Sequence, residues 1–75
     1  MYLYLECENK EEYEDIKETL KARGFSNLKC NEDYEEIKVK ISSLDFAYNS
    51  IAITYNSKWC DIYLEQLHAF TIKEY

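Results

Sequence analysis

The chain has 75 residues, 47% of them hydrophobic and 32% charged, with a formal net charge of -6 at pH 7. A chain of this length buries only about 60% of the surface its unfolded form exposes, so residues 1–75 make a single domain with a modest core and no room for a deep substrate cavity. An aromatic fraction of 16% argues against disorder, and a sequence pI of 4.7 opposes direct nucleic-acid binding, which needs a basic face.

Residues 2–7, YLYLEC, alternate Leu3, Leu5 and Cys7 against Tyr2, Tyr4 and Glu6, the period of a strand with one face in the core. Asn9 followed by Glu12 has the spacing of a capping box. Tyr13, Ile16, Lys17 and Leu20 then share one helical face, and Gly24 falls where a left-handed terminating residue is needed, with Phe25 placed to pack back on Leu20. The pattern predicts a helix over 10–23.

Leu28 and Cys30 predict a short strand, NEDYEE at 31–36 a polar turn, and Ile37, Val39 and Ile41 a second strand of a hairpin whose solvated face carries Lys38 and Lys40. Ser42 and Ser43 interrupt this alternation, as a bulge or bend would, before Leu44, Phe46 and Tyr48 resume it. Asn49 and Ser50 turn the chain into IAITY, a β-branched central strand. Residues 58–70, KWCDIYLEQLHAF, alternate Cys60, Ile62 and Leu64, yet a helical wheel places more apolar residues on one side: Trp59, Cys60, Ile62, Tyr63, Leu64, Leu67 and Phe70. The wheel predicts a second helix capped by Ser57, with residues 71–75 as its end or a short edge strand. The expected fold class is α+β: a two-layer sandwich in which one antiparallel sheet carries two helices on one face, in the order β-α-β-β-β-α.

The net charge resides in the first half. Residues 6–36 hold eleven acids against five bases, and residues 37–75 hold four of each. On the first helix Glu11, Glu14, Asp15 and Glu18 point away from Tyr13, Ile16 and Leu20. Two readings fit. Acids early in a helix and bases late complement its dipole by about 0.3 to 1 kcal/mol each, and a charged outer face keeps a small protein soluble. Against this, Glu11 with Asp15 and Glu14 with Glu18 are like-charge pairs one turn apart, costing about 0.2 to 0.5 kcal/mol each. Four carboxylates within about 10 Å of helix match the charge density of one nucleic-acid strand, about three phosphates over that length. The sharper reading is an acidic recognition surface for a basic site on another protein. It comprises Glu11, Glu14, Asp15 and Glu18 with Glu32, Asp33, Glu35 and Glu36, and Tyr34 as an aromatic anchor.

No residue pattern carries enzyme chemistry. Cys7, Cys30 and Cys60 with His68 lack the paired spacing of a zinc site, so no metal and no cofactor are expected, and Cys7 and Cys60 read as core thiols. A Cys-His nucleophile would need an outward strand cysteine facing His68. Asp61, Glu65 and His68 share the polar side of the second helix, where ordinary surface pairing suffices. Lys38 and Lys40 beside exposed tyrosines make only a weak basic patch. Tyr2, Tyr4, Tyr48, Tyr55 and Tyr75 mark a partner or homodimer surface, or cover sheet edges.

The start of the chain has no basic leader followed by an apolar run, and an odd number of scattered cysteines suits a reducing compartment, so the expected location is cytoplasmic, in the host if the protein is viral. Size, acidity, a bias toward residues with A/T-rich codons and the absence of catalytic motifs resemble the general character of small phage-encoded inhibitors, which include anti-CRISPR proteins and DNA mimics. That likeness rests on no motif. It implies a non-enzymatic inhibitor that occludes a basic, nucleic-acid-binding surface of a target protein such as a nuclease, with no membrane partner. The alternative is a small structural or regulatory subunit, or an antitoxin or immunity-type protein, acting through tyrosine-rich contacts.

Overall fold

The computed structural model describes residues 1–31, 33 and 35–74. In chain order they form β1 (Tyr2–Cys7), α1 (Lys10–Ala22), β2 (Leu28–Asn31), β3 (Glu36–Lys40), β4 (Ser43–Phe46), β5 (Ser50–Tyr55), β6 (Lys58–Tyr63), a 3₁₀ turn (Leu64–Gln66) and β7 (Leu67–Lys73). The strands make two antiparallel sheets, ordered β2-β3-β1-β7 and β4-β5-β6. This corrects the expectation of a single sheet with two helices on one face. Strand makes up 53% of the structure, and α1 is the one α-helix among the described residues.

The first third follows its sequence pattern. Leu3, Leu5 and Cys7 are buried on β1, and Tyr13, Ile16 and Leu20 are buried on α1. The Asn9 side chain accepts from the Glu12 backbone N–H at 2.9 Å, capping the helix start. At the other end Phe25 N–H donates to the Leu20 carbonyl (2.9 Å) and Gly24 N–H to that of Lys21 (3.0 Å), with Gly24 at φ 91°. These are the two bonds of a Schellman motif, and Phe25 and Leu20 are both buried beside them.

The second helix is replaced by β6, the 3₁₀ turn and β7. Asn56 (φ 50°) and Ser57 (φ 67°) are the two central residues of a hairpin joining Tyr55 to its cross-strand partner Lys58. Positive φ at both positions suits a two-residue type I′ turn, so Ser57 closes a hairpin and caps no helix. Beyond it Cys60 and Ile62 face the core, while Trp59 and Tyr63 are 53% and 50% exposed. The helical wheel counted both aromatics as buried. Their outward placement restores the two-residue period.

The two sheets are tied by chain crossings. Ser42 and Ser43 mark the point where the chain leaves β3 and enters the other sheet: Ile41 N–H donates to Met1 O and Ser42 N–H to Thr54 O. The expected bulge is thus a change of layer. Phe46, on the apolar parity of the expected strand, is exposed, though it packs on Phe70 of β7 with ring centroids 6.1 Å apart, and Tyr48, one of the tyrosines read as marking a surface or an edge, is fully exposed. The 3₁₀ turn returns the chain, with Leu64 N–H donating to Asn49 O and Glu8 N–H to Gln66 O. Residues 67–73 pair with β1 as an edge strand, so the strand that was one alternative for 71–75 begins at Leu67, inside the segment expected to be helix; Tyr75 lies outside the described residues.

One contiguous core joins all of this, combining Leu3, Leu5, Ile37 and Val39 of the large sheet with Ile51, Ile53, Cys60 and Ile62 of the small one and the buried face of α1. α1 lies against β1 and β3 and against β6, an edge of the small sheet, so the second layer is helix beside sheet. Among the described residues no helix is long and apolar enough to cross a membrane.

Candidate functional site

The solvated side of α1 carries Glu11, Asp15 and Glu18, all exposed, as its periodicity requires. Glu14 differs. It is half-buried and paired with Lys17, whose Nζ stands 3.2 Å from a carboxylate oxygen and 5.1 Å from the centre of the Tyr13 ring. Its charge is therefore partly met within the helix, which leaves Glu11, Asp15 and Glu18 as the outward acids of the original four.

Other acids reach this surface from the second half of the chain. Gln66 sits in the 3₁₀ turn, and its Nε2 donates to Glu12 Oε2 and Asp15 Oδ2, both at 2.7 Å. One amide with two donors thus bridges two carboxylates one turn apart and laces the turn to α1. An open depression results, around which Glu12, Asp15, Asp61 and Glu65 converge from α1, β6 and the turn, with Tyr63 and Thr19 completing its wall; among the described residues no lysine or arginine lines it. Asp61 and Tyr63 get there by the outward parity of β6.

Asp61, Tyr63, Glu65 and Gln66 are the residues that sequence reasoning missed for this surface. The signal was present as the outward alternation Trp59, Asp61, Tyr63, Glu65, and it was obscured by reading the segment as a helix. The grouping of Asp61 and Glu65 with His68 dissolves for the same reason, since His68 is exposed on β7 in the other sheet.

The acidic turn is only partly joined to the helix. Glu32 and Tyr34 lie outside the described residues. Asp33 is exposed, and its N–H donates to Asn31 Oδ1 at 3.1 Å. Glu35, at φ 52°, accepts from Cys7 N–H through its carbonyl at 2.9 Å. Burial pushes the Cys7 thiol up to about 11, with the carboxylates of Glu35 and then Glu12 adding to the effect, so the end of the turn and the first turn of α1 meet at one end of β1. Glu36 goes elsewhere. It stands opposite Glu6, an exposed residue on the outward parity of β1, away from the helix.

The basic end of α1 has its own aromatic contact: the Arg23 guanidinium lies 5.2 Å from the Trp59 ring centre. Cys60 is buried, which raises its thiol pKa, and Cys30 is exposed. Among the described residues no three His, Cys, Asp or Glu side chains are grouped to hold a metal ion. Compared with known proteins, the chain matches no family model, no curated protein and no solved structure.

Proposed function

We propose that this chain is a non-enzymatic binding protein whose acidic surface, centred on α1 and extended by β6 and the 3₁₀ turn, occludes a basic surface on a protein target. The observation that carries the reading is the Gln66 bridge: it fixes Glu12 and Asp15 beside Asp61 and Glu65, so carboxylates from both halves of the chain form one surface. Such a density of fixed negative charge beside exposed Tyr63 suits a partner rich in lysine and arginine, and the basic face of a nucleic-acid-binding protein meets that description. Occlusion of such a site is the way a DNA mimic would act, one kind of the small phage-encoded inhibitors whose general character the chain resembles.

A second reading, a regulatory or immunity-type subunit acting through aromatic contacts, is favoured by the exposed Phe46, Tyr48, Trp59 and Tyr63 of the small sheet and its loop. Salt separates the two. The test is affinity capture of a partner from host lysate by wild type and by a Glu11→Lys, Asp15→Lys, Glu18→Lys variant whose fold is confirmed by circular dichroism, followed by a gel-shift assay on the captured partner. The acidic reading expects capture that weakens with salt, is lost in the variant, and blocks the partner's nucleic-acid binding. Capture that survives both salt and charge reversal but is lost in Trp59→Ala or Tyr63→Ala assigns the aromatic reading.

A further inference from the structure

We propose that β7 pairs with β7 of a second copy of this chain across a two-fold axis, joining the two large sheets into one continuous sheet. Among the described residues β7 is bonded to β1 alone, so its other edge is open. Which backbone groups face that edge follows from the alternation of antiparallel bonding. Cys7 N–H donates to Glu35 O and Ile41 N–H to Met1 O, so the odd-numbered residues of β1 point their backbone groups at β3. Tyr2, Tyr4 and Glu6 therefore bond to their partners Lys73, Thr71 and Ala69 on β7. That leaves the N–H and C=O of Phe70 and Ile72 directed outward, with no backbone partner among the described residues.

An open edge is ordinarily blocked by a short strand, a charge, a proline or a bulge. The edges β2 and β4 have four residues each and carry Lys29 and Asp45, and the edge β6 lies against α1. β7 has seven residues, with no proline and no Asp, Glu, Lys or Arg before Lys73. Its irregular pairing with β1 falls at its start, between Leu67 and Ala69, which leaves residues 69–73 regular. On the core side of that stretch Ile72 is 39% exposed, and Phe46, packed on Phe70, is exposed too. The edge is apolar as well as open, so what covers it is an extended strand bearing apolar side chains.

β7 is itself such a strand, and it is complementary to itself. A two-fold axis at Thr71 sets Phe70 of each copy opposite Ile72 of the other, and each of these pairs exchanges both of its outward backbone bonds. Thr71 then faces Thr71, and Ala69 faces Lys73. Aromatic against β-branched and Thr against Thr are favourable cross-strand pairs, and no like charges meet. A strand from another protein would satisfy the same backbone groups, but the side-chain match is with β7. The two-fold also closes the association at the dimer, because each copy offers one such edge.

The experiment is sedimentation equilibrium with a cross-linking series. One strand pair is smaller than a standard interface of about 1,600 Å², so the expected transition is monomer to dimer with a midpoint of about 10 to 100 µM, read from about 5 to 500 µM protein. Thr71→Lys sets two ammonium groups against each other at the axis and should weaken the dimer about fivefold or more at low salt, with the fold checked by circular dichroism. In a Cys30→Ser background, Thr71→Cys should form a disulfide-linked dimer on oxidation with diamide, because a non-hydrogen-bonded pair holds its Cα atoms about 4.5 Å apart, within disulfide range. Ala69→Cys, whose partner in this register is Lys73, should not, and this gain at one position alone is one that misfolding does not produce. Two outcomes overturn the proposal: a monomer throughout that concentration range, or association that ignores Thr71→Lys and cross-links Ala69→Cys as well as Thr71→Cys, which would place the contact on another surface.

Discussion

Cys7 closes the end of β1 with its side chain 5% exposed, and two carboxylates act on it. The folded thiol ionises at about 11 instead of the ordinary 9.0, so below pH 9 both the folded and unfolded states hold the proton and burial of the neutral thiol contributes fully. As pH rises from about 9 to 11 the unfolded chain ionises first and that contribution is lost, amounting to roughly 2 to 3 kcal/mol. Urea unfolding between pH 8 and 11 should therefore show a steeper alkaline fall for wild type than for Cys7→Ala, and parallel curves would remove Cys7 as the cause. Gly24 is the other residue whose identity is tied to its geometry. At φ 91° any side chain is strained, and a Cβ would meet Lys58 Cδ at 2.8 Å. Gly24→Ala should cost about 1 kcal/mol, lowering Tm by roughly 4 to 8 °C, and Gly24→Asn less, because Asn tolerates the left-handed region better.

The hairpin between β5 and β6 decides which fold the second half adopts. Ser57 occupies a left-handed position there, and Asn-Gly is the preferred pair for a type I′ turn. Ser57→Gly should raise stability by about 0.5 to 1 kcal/mol in thermal unfolding, whereas the same change at a helix N-cap would leave it unchanged or lower it by a few tenths. A lowered Tm would count against the hairpin. The 3₁₀ turn has a comparable role: Gln66→Glu would replace the amide bridging Glu12 and Asp15 with a further carboxylate, and the loss of stability should shrink as salt rises from low ionic strength to about 0.5 M. These two elements also mark where sequence reasoning reached its limit. β1, α1 and β3 were legible because cap, period and terminator agreed at each. β6 was not, because Trp59 and Tyr63 are amphipathic rings that count as core on a wheel and sit half-exposed on a sheet. The outward acids of α1 were legible from period alone. The contribution of Asp61 and Glu65 required the turn that brings residues 61–66 back against the helix, a contact between residues about 50 positions apart in the chain.

At the scale of the molecule, carboxylates from both halves of the chain are gathered on one side: Glu12, Asp15, Asp61 and Glu65 converge on one open depression from α1, β6 and the 3₁₀ turn. Gathering like charges this closely costs folding energy at low ionic strength, whereas a surface that meets a basic partner gains from it. On the proposed function, stability and partner binding should then oppose each other at this surface. Asp61→Asn with Glu65→Gln should raise stability by about 0.5 to 1 kcal/mol, or roughly 2 to 8 °C in Tm at low salt, and the gain should shrink toward about 0.5 M salt as the repulsion is screened. The same variant should capture the partner of the wild type more weakly and with a shallower salt dependence. If it were less stable than wild type at low salt, the convergence of carboxylates would not be a cost to folding, and the case for a surface shaped by binding would lose its thermodynamic support.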